Sequence, residues 1–302
     1  MKATGRNVAE SVRQRLLTLA QQRNWEFHRV LTRYGVERLL FRLAASKHRN
    51  RFLLKGATLF TVWEGIPHRA TKDLDLLGLG TASVDDMLVL FNDVIRTTVE
   101  PDGLVFGEIA AEPIRAAMEV GGIRLNLNAE LASARVLVQV DVGFGDAIVP
   151  PPVEVEFPTL LNTSKPRMRA YPPETVIAEK LEAMVKLGLA NSRMKDFFDI
   201  WHLTRAYSFE GKVLVESIAA TFAARGVAIP QGPITALTAK FSDDRSKQIQ
   251  WSAFLRQAAV AEATPGLPDV VRHLAVFFGP LLEALRGEAL RVSTWTPPGG
   301  WG

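Results

Sequence analysis

The chain has 302 residues, 47% hydrophobic and 23% charged, with a net charge of +4. That is ordinary globular composition, with room for one large or two ordinary domains. The absence of cysteine excludes disulfides and thiolate chemistry, five scattered histidines offer no zinc-ligand spacing, and no apolar run approaches the ~20 residues that span a bilayer. The opening MKATGRNVAESVRQRLL lacks the apolar stretch of a signal peptide, so the expected compartment is the cytoplasm.

Residues 7–22 and 25–46 are predicted helices; in the second, Val30, Leu31, Val36, Leu39, Leu40 and Leu43 recur at helical spacing, interrupted only by Gly35. Residues 1–55 carry thirteen Lys/Arg against three acids, a local charge of +10. Such a segment suits a polyanion, or is simply a solvated helix face. RFLLKGATLF then predicts a strand at 52–54, a turn at Gly56 and a helix from Thr58. TKDLDLLGLG predicts a strand closed by Gly78 and Gly80, followed by a helix with Ser83 as N-cap.

GLVFGEIAAEPI, GGIRLNLNAEL and ARVLVQVDVGFGD predict three sheet strands, the last alternating Val136, Val138, Val140 and Val142 with Leu137, Gln139 and Asp141. AIVPPPVEVEFPTLL, with four prolines, predicts a short strand and an exposed connection. From Pro172 to about 287 the pattern is helical, and STWTPPGGWG is a tail either loose or docked by its tryptophans. The expected class is α+β: basic helices and a mixed-sheet core over 1–150, then a connection and helical domain over 151–302.

Asp73 and Asp75 share one face of their strand while Leu74 and Leu76 share the other. Two neighbouring carboxylates repel unless a proton or cation lies between them. Hard ions such as Mg²⁺ take oxygen ligands and leave room for phosphates. Asp141, off the valine face of a nearby strand, is a candidate third ligand. Three such acids can hold two metals around an in-line phosphoryl displacement. Upstream, LLKGAT places a glycine turn and a helix start where backbone N–H groups can receive phosphate.

Together these motifs resemble the polymerase-β-like nucleotidyltransferase superfamily. More narrowly, RFLLKGATLF, HRATKDLDLLG, VQVDVGFGD and PETVIAEKLEAM with SRMKDFFDIW resemble the AbiEii/AbiGii toxins, the nucleotidyltransferase half of type IV-like toxin–antitoxin pairs. One departure is that Gly56 is followed by Ala57, where the superfamily turn carries Gly or Ser. The resemblance implies transfer of NMP from NTP to an acceptor with release of pyrophosphate. Asp73, Asp75 and Asp141 would be metal ligands for two Mg²⁺, with Mn²⁺ as the alternative. Gly56, Ala57, Thr58, Arg69 and Lys180 would bind the triphosphate. RNA, foremost the tRNA 3′ end, is the implied acceptor, translation the implied target, and an antitoxin protein the implied partner. The competing readings are transfer to a small-molecule or protein hydroxyl, a non-catalytic RNA-binding module, and, last, a metal phosphoesterase.

Lys180 borders the inward stripe of Ile177, Leu181, Met184 and Val185 and needs an anion. Asp196 and Asp199 on the next predicted helix can supply it, Asp196 being preferred. Their pairing is either an interhelical ion pair or, as the resemblance implies, part of an active site. Arg69 is a partner for the acids or for phosphate. Lys72 alternates away from the acids, and Thr71 lies on their face, where a phosphate would repel NTP and silence the enzyme.

Overall fold

The structure, a computed structural model, describes residues 2–65, 73–114, 121–258 and 264–302. It divides into two compact units: Met1–Gly145 with Val153–Ala170, and Asp146–Pro152 with Tyr171–Gly302.

The first unit opens with helices α1 (Lys2–Gln22) and α2 (Phe27–Ala45), then β1 (Phe52–Lys55), α3 (Thr58–Glu64), β2 (Asp73–Gly78) and α4 (Val84–Ile95). Ser83 caps α4 as expected: its hydroxyl accepts from the Asp86 N–H while the Asp86 carboxylate accepts from the Ser83 N–H. Strands β3 (Leu104–Ile114), β4 (Gly122–Leu131) and β5 (Ala134–Phe144) follow, then β6 (Val153–Glu156) and β7 (Arg167–Ala170). All seven join one mixed sheet in the order β3-β4-β5-β2-β1-β7-β6. β5 runs parallel to β2 and β7 parallel to β1; the other neighbours are antiparallel.

This sheet explains why the units do not divide at 150. Residues 153–170 return to the first unit because β7 pairs with β1 at Leu54↔Ala170 and brings β6 with it. The second unit instead keeps residues 146–152, where Arg225 bonds Asp146 at 2.8 Å and the Thr175 hydroxyl donates to the Val149 carbonyl at 2.9 Å.

One face of the sheet is the core. Val136, Val138, Val140 and Val142 of β5, Leu125 and Leu127 of β4, and Leu74 and Leu76 of β2 are all buried. Helix α2 lies on this face. A Cβ added to Gly35 would stand 2.7 Å from the Val138 side chain and 2.8 Å from that of Val136. Gly35 therefore lets the helix reach the sheet, which is the purpose of the interruption seen in the sequence.

The basic character of α2 is partly internal. Arg38 is fully buried and Arg42 is 7% exposed. The Asp102 carboxylate accepts from Arg38 Nε at 2.7 Å and from Arg42 Nη1 at 2.6 Å, while Tyr34 donates its hydroxyl proton to the Asp102 carbonyl at 2.8 Å. These two arginines are thus neither a solvated face nor a patch for a polyanion. Glu37, also buried, accepts from Arg33 Nε at 3.3 Å and from the Leu160 N–H at 3.0 Å.

The second unit is mostly helical: α5 (Pro173–Leu187), α6 (Met194–Ala206), α7 (Gly211–Ala224), α8 (Ala239–Ser242), α9 (Arg245–Ala258) and α10 (Leu267–Leu285). Ile177, Leu181, Phe197, Ile200, Ile218, Leu274 and Phe277 are fully buried within it. The tail is docked. Strands β8 (Phe209–Glu210), β9 (Thr294–Thr296) and β10 (Gly300–Trp301) form a small sheet, and buried Trp295 donates Nε1–H to the Thr204 carbonyl at 2.7 Å. No helix among the described residues is long and apolar enough to cross a membrane.

Burial pushes the Glu37 carboxyl up to about 7 from an ordinary 4.5, despite its bonds to Leu160 and Arg33. Folded protein therefore holds this proton where the unfolded chain has released it. The associated stability is present below pH 4.5 and lost as pH rises through 7. We expect Glu37→Gln to remove that contribution, flattening urea-unfolding stability across this window relative to the wild type.

Candidate active site

β2 carries the acid pair. Leu74 and Leu76 are fully buried, while Asp73 and Asp75 alternate to the other face and are half-buried. The parallel pairing of β2 with β5 sets Asp75 opposite Asp141 and Asp73 opposite Gln139. All four side chains therefore share the face opposite α2, together with Lys55, which pairs with Asp75 from β1. The sheet thus brings the three predicted acids onto one surface.

It also brings a residue the sequence reading missed. Arg124 of β4 is the cross-strand partner of Asp141. Its guanidinium grips the carboxylate with two bonds, Nε to Oδ1 at 2.8 Å and Nη2 to Oδ2 at 2.7 Å, and Gln139 adds a 3.3 Å bond to Oδ1. The bond to Asp141 holds the Arg124 guanidinium even more firmly charged than usual; burial opposes this, and the nearby charges of Asp141, Asp73 and Glu112 reinforce it. The available signal was the polar alternation Arg124, Asn126, Asn128 in GGIRLNLNAEL, which placed Arg124 on the acid face once the β4–β5 register was known.

Gly56 follows β1 with φ +70°, and a Cβ there would stand 2.0 Å from Asp75 Oδ2. The glycine backbone thus lies directly against the acid. In the remainder of the turn Ala57 and Thr58 are buried, and the Thr58 hydroxyl donates to the Asp73 carbonyl at 3.5 Å. α3 spans only seven residues. Arg69, Thr71 and Lys72 lie outside the described residues.

Asp73 and Asp75 are a hard-oxygen donor pair suited to a divalent cation. The third acid does not join them in this arrangement. Among the described residues no group of three His, Cys, Asp or Glu side chains is placed to hold a metal ion. Both Asp141 oxygens face Arg124 instead.

In the helical unit, Lys180 Nζ donates to Asp196 Oδ1 and Asp199 Oδ2, both at 2.8 Å. The lysine side chain is 11% exposed and both carboxylates are fully buried. Arg193 Nε lies 2.6 Å from Asp196 Oδ2. Burial drives the Asp196 carboxyl upward, but Lys180 and Arg193 outweigh it and hold it below the usual carboxylate range. The ammonium does not single out Asp196 from Asp199, since it binds both at equal length; Arg193 adds its contact to Asp196. The interhelical ion pair is therefore present between α5 and α6.

A family model described as "Nucleotidyl transferase AbiEii toxin, Type IV TA system" matches residues 38–273. Among solved structures, the crystal structure of JHP933 from Helicobacter pylori is 16% identical, with 85% of this chain and 93% of that one covered and a TM-score of 0.49. That of a putative nucleotidyltransferase from H. pylori is 17% identical, with 86% and 95% covered and a TM-score of 0.48. No curated protein matches.

Two variants probe these clusters. Gly56→Ala must displace the Asp75 carboxylate and strain a left-handed backbone, which costs of order 1–3 kcal/mol in urea unfolding. Lys180→Met removes the cation that two buried carboxylates share, with Arg193 still beside Asp196. It should destabilise the protein by about 3–5 kcal/mol in the same measurement, whereas unfolding like the wild type would show the lysine to be structurally dispensable.

Proposed function

Because the chain belongs to the AbiEii nucleotidyl transferase toxin family of type IV toxin–antitoxin systems, we propose that it transfers an NMP from an NTP to an acceptor hydroxyl. The observation that carries this reading is the in-register pairing of Asp75 with Asp141, with Asp73 on the same face and Gly56 against Asp75. In the proposed reaction the acceptor oxygen bonds to the α-phosphorus, the bond to the bridging oxygen breaks, and pyrophosphate leaves. Asp73 and Asp75 would hold Mg²⁺, or Mn²⁺ in its place. Divalent ions there supply neutralisation of the triphosphate and of charge developing in the displacement.

The chain's own groups supply position. Gly56 brings its backbone to the edge of the acid pair without a side chain in the way. Asp141 is proposed to take the acceptor's proton, standing one strand away from Asp75. Lys180 is proposed to lend charge to the triphosphate, with Asp196 setting its ammonium. The support for these last two roles is the family motif, and both residues also hold α5 to α6.

For the acceptor we propose RNA, foremost the tRNA 3′ end, whose extension would block aminoacylation and translation. The support is membership of a toxin family. The cations of α2 do not add to it, because that helix covers the valine face, away from the acids. That placement favours a second reading, transfer to a small-molecule or protein hydroxyl. A cognate antitoxin protein is the proposed partner, as the family description implies.

Incubation with each α-labelled NTP, Mg²⁺ and total cell extract tests the proposal, with Asp73→Ala as control. We expect label in the RNA fraction, lost by at least about 100-fold in the control, the scale on which positioned charge acts in catalysis. Label in protein or small molecules redirects the acceptor. No label in any fraction, with the protein folded, removes the transferase reading.

A further inference from the structure

Arg124 stands where a cation is needed. It is 36% exposed, its partner Asp141 is 19% exposed, and the pair bonds in the two-pronged geometry that makes an arginine–carboxylate contact strong. Asp73 and Glu112 add their fields to the same guanidinium. Carboxylates on neighbouring strand positions repel unless something positive lies beside them, and Asp141 has such a group attached to the next strand.

We propose that Arg124 is the built-in counter-cation of Asp141, and that a divalent cation gains this carboxylate only by displacing it. The inference rests on the nucleotidyltransferase reading for the metal itself, but concerns a residue outside the acid motif. Arg124 is then a positioning residue. It keeps Asp141 on its strand face and sets how readily the acid surface loads a metal. The bridge lies between neighbouring antiparallel strands, so its release needs only side-chain rotation and no change of register.

The test is direct binding of Mn²⁺ to the full chain without nucleotide, read from the electron paramagnetic resonance of the hydrated ion remaining in solution. The wild type is compared with Arg124→Gln, Arg124→Lys and Arg124→Gln combined with Asp141→Asn. We expect Arg124→Gln to bind Mn²⁺ about tenfold more tightly, the scale of one charge-assisted bond. The double variant should return to the wild-type level, because the released ligand is gone. Arg124→Lys keeps the charge without the fork and should lie between, carrying the test if the glutamine variant does not fold.

Equal or weaker binding in the Arg124 variants overturns the proposal. So does a double variant as tight as Arg124→Gln, since Asp141 is then not the ligand set loose. Failure of every variant to bind Mn²⁺ overturns it together with the metal reading. Tighter binding by Arg124→Gln in a protein that transfers no nucleotide leaves the inference standing and removes only the proposed activity.

Discussion

The pairing of β2 with β5 is the constraint on which the first unit depends. These two strands run parallel at the centre of the sheet and join its two sides, β3-β4 on one and β1-β7-β6 on the other. Parallel neighbours cannot be joined by a tight turn, so their register is held by which side chains are buried. A slip of one residue would turn Leu74 and Leu76 to the polar face and drive Asp73 and Asp75 into the valine core. The same alternation that excludes that slip sets Asp75 beside Asp141. Core burial thus holds like charges on one face, and Arg124 neutralises the Asp141 member of the set.

The charge of the N-terminal segment takes a different form from the one its composition suggests. A local excess of +10 is a natural signature of a polyanion-binding surface. Yet Arg38 and Arg42 lie inside, clamped on Asp102, and α2 as a whole sits behind the acid face. Net charge counts residues without regard to direction. Once two arginines are buried against one aspartate, the cluster determines helix placement more than it advertises a ligand.

Much of this was legible in the chain. The helices, the strand–glycine turn–helix and the valine alternation follow from local period, and local period is what a single sequence carries best. The Ser83 cap was legible for the same reason, since it is closed within four residues. What was missed depends on contacts between distant segments. β7 is the four residues RMRA, too short and too polar to announce a strand, and without it the division at 150 looked natural. Arg124 was hidden because its partner becomes known only when the turn at Ala132 and Ser133 pairs Leu131 with Ala134, which carries the register to Arg124 and Asp141. Asp196 and Asp199 could not be separated by spacing, and the structure shows why: one ammonium uses both.

Gly35 has a consequence for how this protein can be altered. Glycine inside a helix is ordinarily the first position to replace with alanine, for a gain of about 1 kcal/mol in helix propensity. Here the missing methyl is the clearance between helix and sheet, with Val136 and Val138 already within 3 Å of where it would stand. Propensity and packing therefore pull in opposite directions at one atom, and packing has the larger claim because the neighbouring strand is the one that carries Asp141. Stabilising substitutions in α2 belong at its exposed positions, where no strand fixes the distance.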